Sequence, residues 1–216
     1  MLSVLTDNWE LFRDGFWTTI KLFVVSGLLS LVIGTLLAGF RVSPVPALRA
    51  IGTGYVNTLR NTPLTLVFAF LVFGAPKAGL NLPDFFWSAI VALTVYTSAF
   101  VCEVVRSGIN TVSPGQSEAA RAVGMTFVQV LGIVVLPQAF RAIVPPLTSV
   151  MIALLKNTTI AAGFSVLEAG AIPAVMAERG QNQMLTLVWI TVGFLLLIIP
   201  LVSLQRWAER RTAVAA

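Results

Sequence analysis

Two basic side chains lie inside long apolar stretches of the sequence, where a charge is costly and is therefore a functional candidate. Arg60 lies eleven residues after Arg49, and Lys156 lies eleven residues after Pro145. If each stretch is a straight membrane helix that begins at those positions, both charges lie roughly 16 Å deep. That depth is near the middle of a hydrocarbon core about 30 Å thick. We therefore expect Arg60 and Lys156 to face a bundle interior or a water-filled cavity at matching depth.

The residues after Arg60 predict a broken helix. Pro63 disfavours α conformation at Thr62, so the helix should break or kink there. Thr62 would then cap a new half-helix, whose free N–H groups and positive dipole end suit an anionic substrate group such as an α-carboxylate. The alternative is that Arg60 pairs with Glu103 or with backbone carbonyls and is purely structural.

Further polar residues are expected at the same depth. Asn157 and Thr158 directly follow Lys156, and Thr97 and Ser98 lie about twelve residues into the apolar stretch 85–106. Helix packing is the alternative role for the threonines. The predicted substrate path therefore comprises Arg60, Asn61, Thr62, Thr97, Ser98, Lys156, Asn157 and Thr158.

The acidic residues favour structural roles. Glu103 and Arg106 are three apart, which predicts an ion pair on one helix face, although Glu103 could instead hold a substrate ammonium. Glu168 and Glu178 lie between the last two apolar stretches and are expected in a solvated loop. Contact with a binding protein or gating of the cavity are the alternatives for that loop.

The composition places these residues in a membrane protein. Of the 216 residues 57% are hydrophobic and only 11% are charged, against about 45–50% and a quarter in soluble domains. The absence of His removes imidazole metal sites and His-dependent catalysis. With Cys102 as the single cysteine no internal disulfide forms, and no Gly-Lys pair provides a phosphate-binding loop.

Five stretches are long and apolar enough to cross a bilayer. They cover residues 16–40, 53–73, 85–106, 145–166 and 184–204 of one membrane domain, 1–216. Of the 14 basic residues, eight fall on one side of these spans, three on the other and three within them. The positive-inside rule then predicts an outside N-terminus and a cytoplasmic C-terminus in the cell membrane.

The connection of about residues 107–144 is predicted to lie in the cytoplasm. Ser113 suits an N-cap, with Pro114 at the first helical position and Gln116 at the capping-box position. Gly124 suits the turn that closes this short helix. A second amphipathic piece is expected from Phe127 to Val135, ending at Leu136-Pro137. A lipid-surface connector is the alternative to a protein-binding helix.

This connection resembles the EAA loop of ABC importer permeases. The matching residues are Glu118-Ala119-Ala120, then Gly124, Val134 in place of the family's Ile, and Leu136-Pro137. Other stretches resemble permease subunits of polar amino acid uptake systems, namely Arg60-Asn61-Thr62-Pro63-Leu64 (with Asn61 where many relatives have Gly), Glu103-Val104-Val105-Arg106, Gly115-Gln116 and Lys156-Asn157-Thr158-Thr159.

The resemblance implies an all-α, five-span permease of the type I ABC importer fold. In that family the loop is a coupling helix that docks into a cytoplasmic ATPase, with Glu118 making the charged contact. The other coupling residues implied are Gly115, Gln116, Ala119, Ala120 and Gly124. ATP and Mg would bind to the ATPase subunit and no cofactor to this chain. The other implied partners are a second permease, identical or paralogous, and an extracytoplasmic binding protein.

The resemblance further favours glutamate or glutamine, because the Arg41-Val42-Ser43-Pro44 and Asn57–Leu64 stretches resemble glutamate-type permeases. The alternatives are an ion-gradient-driven secondary transporter, a passive channel and a membrane enzyme. Secondary transporters usually carry internal repeats, and no convincing repeat is seen here. The enzyme is the weakest alternative, because there is no His and few carboxylates fall within the spans.

Overall fold

The computed structural model describes residues 2–213, and this part of the chain is helical with no β-strand. The α-helices are α1 (Leu2–Thr6), α2 (Trp9–Val42), α3 (Pro46–Arg60), α4 (Leu64–Ala69), α5 (Phe85–Asn110), α6 (Pro114–Ala122), α7 (Phe127–Gln129), α8 (Leu136–Asn157), α9 (Ile172–Glu178) and α10 (Gln183–Ala213). Two π-helical turns (Phe70–Gly74, Val130–Val135) and three 3-10 turns (Pro76–Ala78, Thr158–Phe164, Ala169–Ala171) connect them.

Helices α2 and α5 form the centre of the fold, and they contact each other through small residues. Ser26 and Ser30 of α2 donate hydrogen bonds to the carbonyl oxygens of Ile90 and Thr94 of α5. A Cβ atom at Gly34 would lie 2.6 Å from Val101, so only glycine allows this approach. Since the numbers rise together on both helices, α2 and α5 run in the same direction.

The segment between these parallel helices must bring the chain back across the bundle. It does so as two helices, α3 and α4, that meet at an angle of 104°. Four helices of the described chain are long and apolar enough to span a membrane, and the bent pair makes a fifth crossing. The break at Asn61–Pro63 confirms the prediction from Pro63, which cannot donate a helical hydrogen bond.

The helix that contains the fourth predicted span begins well before that span. We expected it near Pro145 and expected the preceding piece to end at Leu136-Pro137. Instead, helical structure continues from Val130 through Phe164, and Pro145 and Pro146 lie inside α8. Pro137 lies in the first turn of α8, directly after the π-helical turn Val130–Val135. Membrane helices tolerate interior prolines because their neighbours satisfy the freed carbonyl groups.

The N-terminal part of the chain packs against α9 and the start of α10 at one end of the bundle. Val4 of α1, Phe12 of α2, Ile172 and Met176 of α9 and Ile190 of α10 are buried in one apolar cluster. The loop 165–182 is therefore held against α2 and α10. A second cluster joins α2, α4 and α5 around Phe68, which is fully buried.

Candidate functional site

Glu103 is the centre of a cluster of charged side chains. Its Oε1 atom accepts a hydrogen bond from Arg41 of α2 and lies 3.4 Å from Nη1 of Arg60. Its Oε2 atom lies 3.1 Å from Nη2 of Arg106, the partner expected from the spacing of three. The single carboxylate thus joins the end of α2, the end of α3 and α5.

The predicted span 53–73 is bent by 104° directly after Arg60. Arg60 is the last residue of α3, and its guanidinium lies beside Glu103 and Arg41, one residue before the end of α2. Asn157 instead lines a cavity with Tyr96, which is seven residues before Glu103 on α5. Phe100 lines the same cavity and its ring centre lies 5.7 Å from the Arg60 guanidinium, and matching depth for Arg60 and Lys156 stays a prediction.

The polar residues of the bend complete the end of α3. The Asn61 amide donates to the carbonyl oxygen of Asn57, and the Thr62 hydroxyl donates to that of Thr58, both at 2.8 Å. We had predicted that Thr62 caps the next half-helix, and this prediction is wrong, because its hydroxyl is bonded to the preceding helix. The residue at the N-cap position of α4 is Pro63, and no side chain caps it.

A cavity of about 210 Å³ lies between α5 and α8. Thr97 and Asn157 provide its polar lining, beside the aromatic rings of Tyr96 and Phe100. Ser98 does not line this cavity. Its hydroxyl instead lies 2.8 Å from that of Tyr55 on α3, which also donates to the carbonyl oxygen of Val95. Thr97 and Ser98 thus serve different faces of α5.

The other two predicted path residues differ in exposure. Lys156 is exposed at the end of α8 and takes part in none of the ion pairs formed among the described residues. Thr158 is fully buried, and its hydroxyl donates to the carbonyl oxygen of Leu155 at 2.7 Å. This burial agrees with the packing role that we gave as the alternative for the threonines.

The predicted coupling residues occupy α6 and the turn after it. Ser113 occupies the N-cap position without a side-chain capping bond, and Gly124 has a φ of +87°, the left-handed conformation predicted for the closing turn. Ala120, which the resemblance also implied as a coupling residue, is buried against the chain itself. The coupling residues that remain exposed are Gly115, Gln116, Glu118, Ala119 and Gly124.

The comparison with known proteins identifies the family. Residues 30–214 match the family described as the binding-protein-dependent transport system inner membrane component. The chain belongs to this family. It is a multi-pass permease of the inner membrane.

Relatives of the permease cover nearly its whole length. It is 44% identical to the glutamate transport system permease protein GluC of Corynebacterium efficiens, over 97% of this chain and 98% of that one. It is 37% identical to the probable glutamine ABC transporter permease protein GlnM of Bacillus subtilis, over 97% of both chains. A crystal structure of an amino acid ABC transporter with histidines matches with a TM-score of 0.88, 26% identity and coverage of 96% and 97%.

The loop 165–182 of the permease contradicts one prediction. Glu178 is exposed as expected, but Glu168 is fully buried rather than solvated. Its Oε2 lies 3.0 Å from the Thr19 hydroxyl of α2. Burial raises the pKa of the Glu168 carboxyl, and hydrogen bonds from the Gly170 and Ala171 backbone partly oppose the rise.

Three residues of the site were not recognised from the sequence. Arg41 was used as a charge beside a span and in the Arg41–Pro44 resemblance, and Tyr55 and Phe100 lay within predicted spans without an assigned role. Each gains its role from a helix crossing, since Arg41 meets Glu103, Tyr55 meets Ser98, and the Phe100 ring lies under the Arg60 guanidinium. The available signal in the sequence was a carboxylate near the end of one predicted span, Glu103, and a cation at the end of another, Arg41, which together indicate an ion pair.

Proposed function

We propose that this permease is the translocation subunit of an ATP-driven importer of a polar amino acid, with glutamate or glutamine as the favoured substrate. The observation that carries the proposal is its similarity, over nearly the full length of both chains, to a glutamate transport permease. The similarity to a probable glutamine permease supports the same substrate class.

The substrate path is proposed to follow the cavity between α5 and α8. Thr97 and Asn157 offer hydrogen-bonding groups there, and Arg60 lies on the other side of Phe100 with its positive charge. Lys156 is exposed at the end of α8, next to Asn157. A cation and neutral polar groups beside an otherwise apolar cavity suit a small zwitterion.

Coupling to ATP hydrolysis is proposed to occur through α6. Its exposed face presents Glu118 and Ala119, while Val123 just beyond it is 79% exposed. An apolar side chain this exposed, beside a carboxylate, suits a protein contact. Ala120 packs on the inner face of α6 and would transmit the motion of that helix to the rest of the chain.

The remaining partners follow from the family. We propose that a separate cytoplasmic subunit binds ATP and Mg and carries out hydrolysis, that a second permease completes the path, and that an extracytoplasmic binding protein delivers the substrate. This division of labour accounts for a transport chain that has no Gly-Lys phosphate-binding loop.

The test is purification of the tagged chain from its native host in mild detergent. An ATPase subunit should co-purify, and L-glutamate or L-glutamine with the binding protein should stimulate ATP hydrolysis. Glu118→Lys should weaken ATPase recovery, while Glu178→Lys, an exposed acid in the outer loop, should not. Isolation of a correctly inserted chain without any ATPase would contradict the proposal.

A further inference from the structure

The cluster around Glu103 carries more positive than negative charge. Three guanidinium groups, those of Arg41, Arg60 and Arg106, meet one carboxylate. The described contacts of the cluster therefore leave two positive charges without a paired anion. Unpaired charge in a partly buried site is unfavourable, so the cluster favours arrival of a further anion.

The three arginines are not held equally. The Arg41 side chain is 11% exposed and shares Oε1 of Glu103 with Arg60, whereas the Arg60 side chain is 46% exposed and lies further away, at 3.4 Å. Arg106 holds the other oxygen, Oε2. Arg60 can therefore leave Glu103 while both carboxylate oxygens keep a cationic partner.

Arg60 also lies next to the cavity. Its guanidinium is 5.7 Å from the centre of the Phe100 ring, and the same ring lines the cavity with Thr97 and Asn157. One aromatic side chain thus separates the charge from the proposed path. A guanidinium binds a carboxylate through two parallel hydrogen bonds, so a substrate carboxylate in the cavity is a good partner for it.

We propose that Arg60 alternates between two carboxylates: it is paired with Glu103 in the empty permease, and with a substrate carboxylate in the loaded one. Glu103 is then a specificity-determining residue, because it competes with the substrate for Arg60 and so lowers the apparent affinity. This inference rests on the proposed function, since it assumes an amino acid in the path.

The competition is measured by direct binding of labelled L-glutamate to the purified permease–ATPase complex without the binding protein. Arg60→Gln should weaken binding about tenfold or more. Glu103→Asp keeps the negative charge beside Arg41 and Arg106, but its side chain is one methylene shorter. It should therefore compete less well for Arg60 and tighten glutamate binding about threefold. Arg49→Gln removes the other arginine of α3, an exposed one, and should leave binding unchanged.

The double variant Arg60→Gln/Glu103→Asp is the decisive one. If Glu103 acts only by competing for Arg60, this variant should bind no more tightly than Arg60→Gln alone. Tightening by Glu103→Asp in both backgrounds, or unchanged binding by Arg60→Gln, would overturn the inference. Two analogues identify which substrate carboxylate pairs with Arg60. Glutamine lacks the side-chain carboxylate of glutamate, and the α-amide of glutamate lacks the α-carboxylate. Arg60→Gln should not weaken binding of the analogue that lacks the carboxylate paired with Arg60.

The inference about Arg60 can fail while the proposed function still holds. A wild-type complex whose ATP hydrolysis responds to L-glutamate, but which binds no glutamate without the binding protein, would overturn the role of Arg60 and leave the importer intact. Failure of any ATPase to co-purify would contradict the proposed function itself.

Discussion

Thr19 lies within hydrogen-bond distance of three groups although its hydroxyl carries only one proton. The Ala169 N–H donates to it at 3.0 Å, the Gly15 carbonyl oxygen is 3.2 Å away, and Oε2 of Glu168 is 3.0 Å away. If Thr19 donates to Gly15, then Glu168 must donate to Thr19. All three contacts are satisfied together only when Glu168 is protonated.

The raised pKa of Glu168 gives stability a pH dependence of known sign. Its stabilising contribution is complete below the ordinary carboxyl pKa of 4.5 and is lost as pH rises through the raised value of the folded state. Glu168→Gln imitates the neutral acid at every pH. The two proteins should melt together at about pH 5, and the wild type should melt at progressively lower temperature than the variant towards about pH 8.

Thermal unfolding of the detergent-solubilised protein, followed by fluorescence at each pH, measures this difference. Glu178→Gln is the matched control, because Glu178 is exposed in the same loop, and its difference from the wild type should not vary with pH. A melting difference for Glu168→Gln that is constant over this range would show that Glu168 does not change its protonation on unfolding.

At the scale of helices, the contact between α2 and α5 depends on a glycine. An added methyl at Gly34 would lie 2.6 Å from Val101, whereas nothing lies within 4 Å of a methyl at Gly39 on the same helix. Gly34→Ala should lower the free energy of unfolding by about 1–3 kcal/mol, and Gly39→Ala should leave it equal or slightly higher. Unfolding midpoints of both variants test this, and equal midpoints would mean that the helices separate at no cost.

The turn after α6 gives a second test at this scale. Gly124 has a φ of +87°, which a β-branched residue adopts poorly and asparagine tolerates. Gly124→Val should therefore uncouple ATP hydrolysis from uptake while the protein still inserts, and Gly124→Asn should keep coupling largely intact. Uptake per unit of inserted protein is the measurement, and normal uptake by the valine variant would remove this turn from the coupling path.

The features that could be predicted from the sequence are the local ones. Pro63 indicated the break between α3 and α4, and Gly124 the left-handed turn, because each effect acts within a few residues. The burial of Glu168 could not be predicted in this way, since it depends on Thr19, 149 positions away. The pairing of Arg41 with Glu103 could not be predicted in this way either, because it depends on how α2 and α5 cross.

At the scale of the whole molecule, the direction of insertion stays a prediction. It can be read with a membrane-impermeant maleimide on intact cells, because the native Cys102 is fully buried. Glu178→Cys should react from outside and Ser107→Cys, exposed near the end of α5, should react only after the cells are opened. The reverse pattern of labelling would place the C-terminus outside.

The central claim is that this chain moves an amino acid only when a partner hydrolyses ATP. Proteoliposomes containing the complex, the binding protein and ATP on the ATPase side measure this directly through uptake of labelled L-glutamate and L-glutamine. We predict accumulation of at least one of them that requires ATP and persists in the presence of an uncoupler. Accumulation that proceeds without ATP and collapses with the uncoupler would contradict the account and indicate an ion-driven carrier.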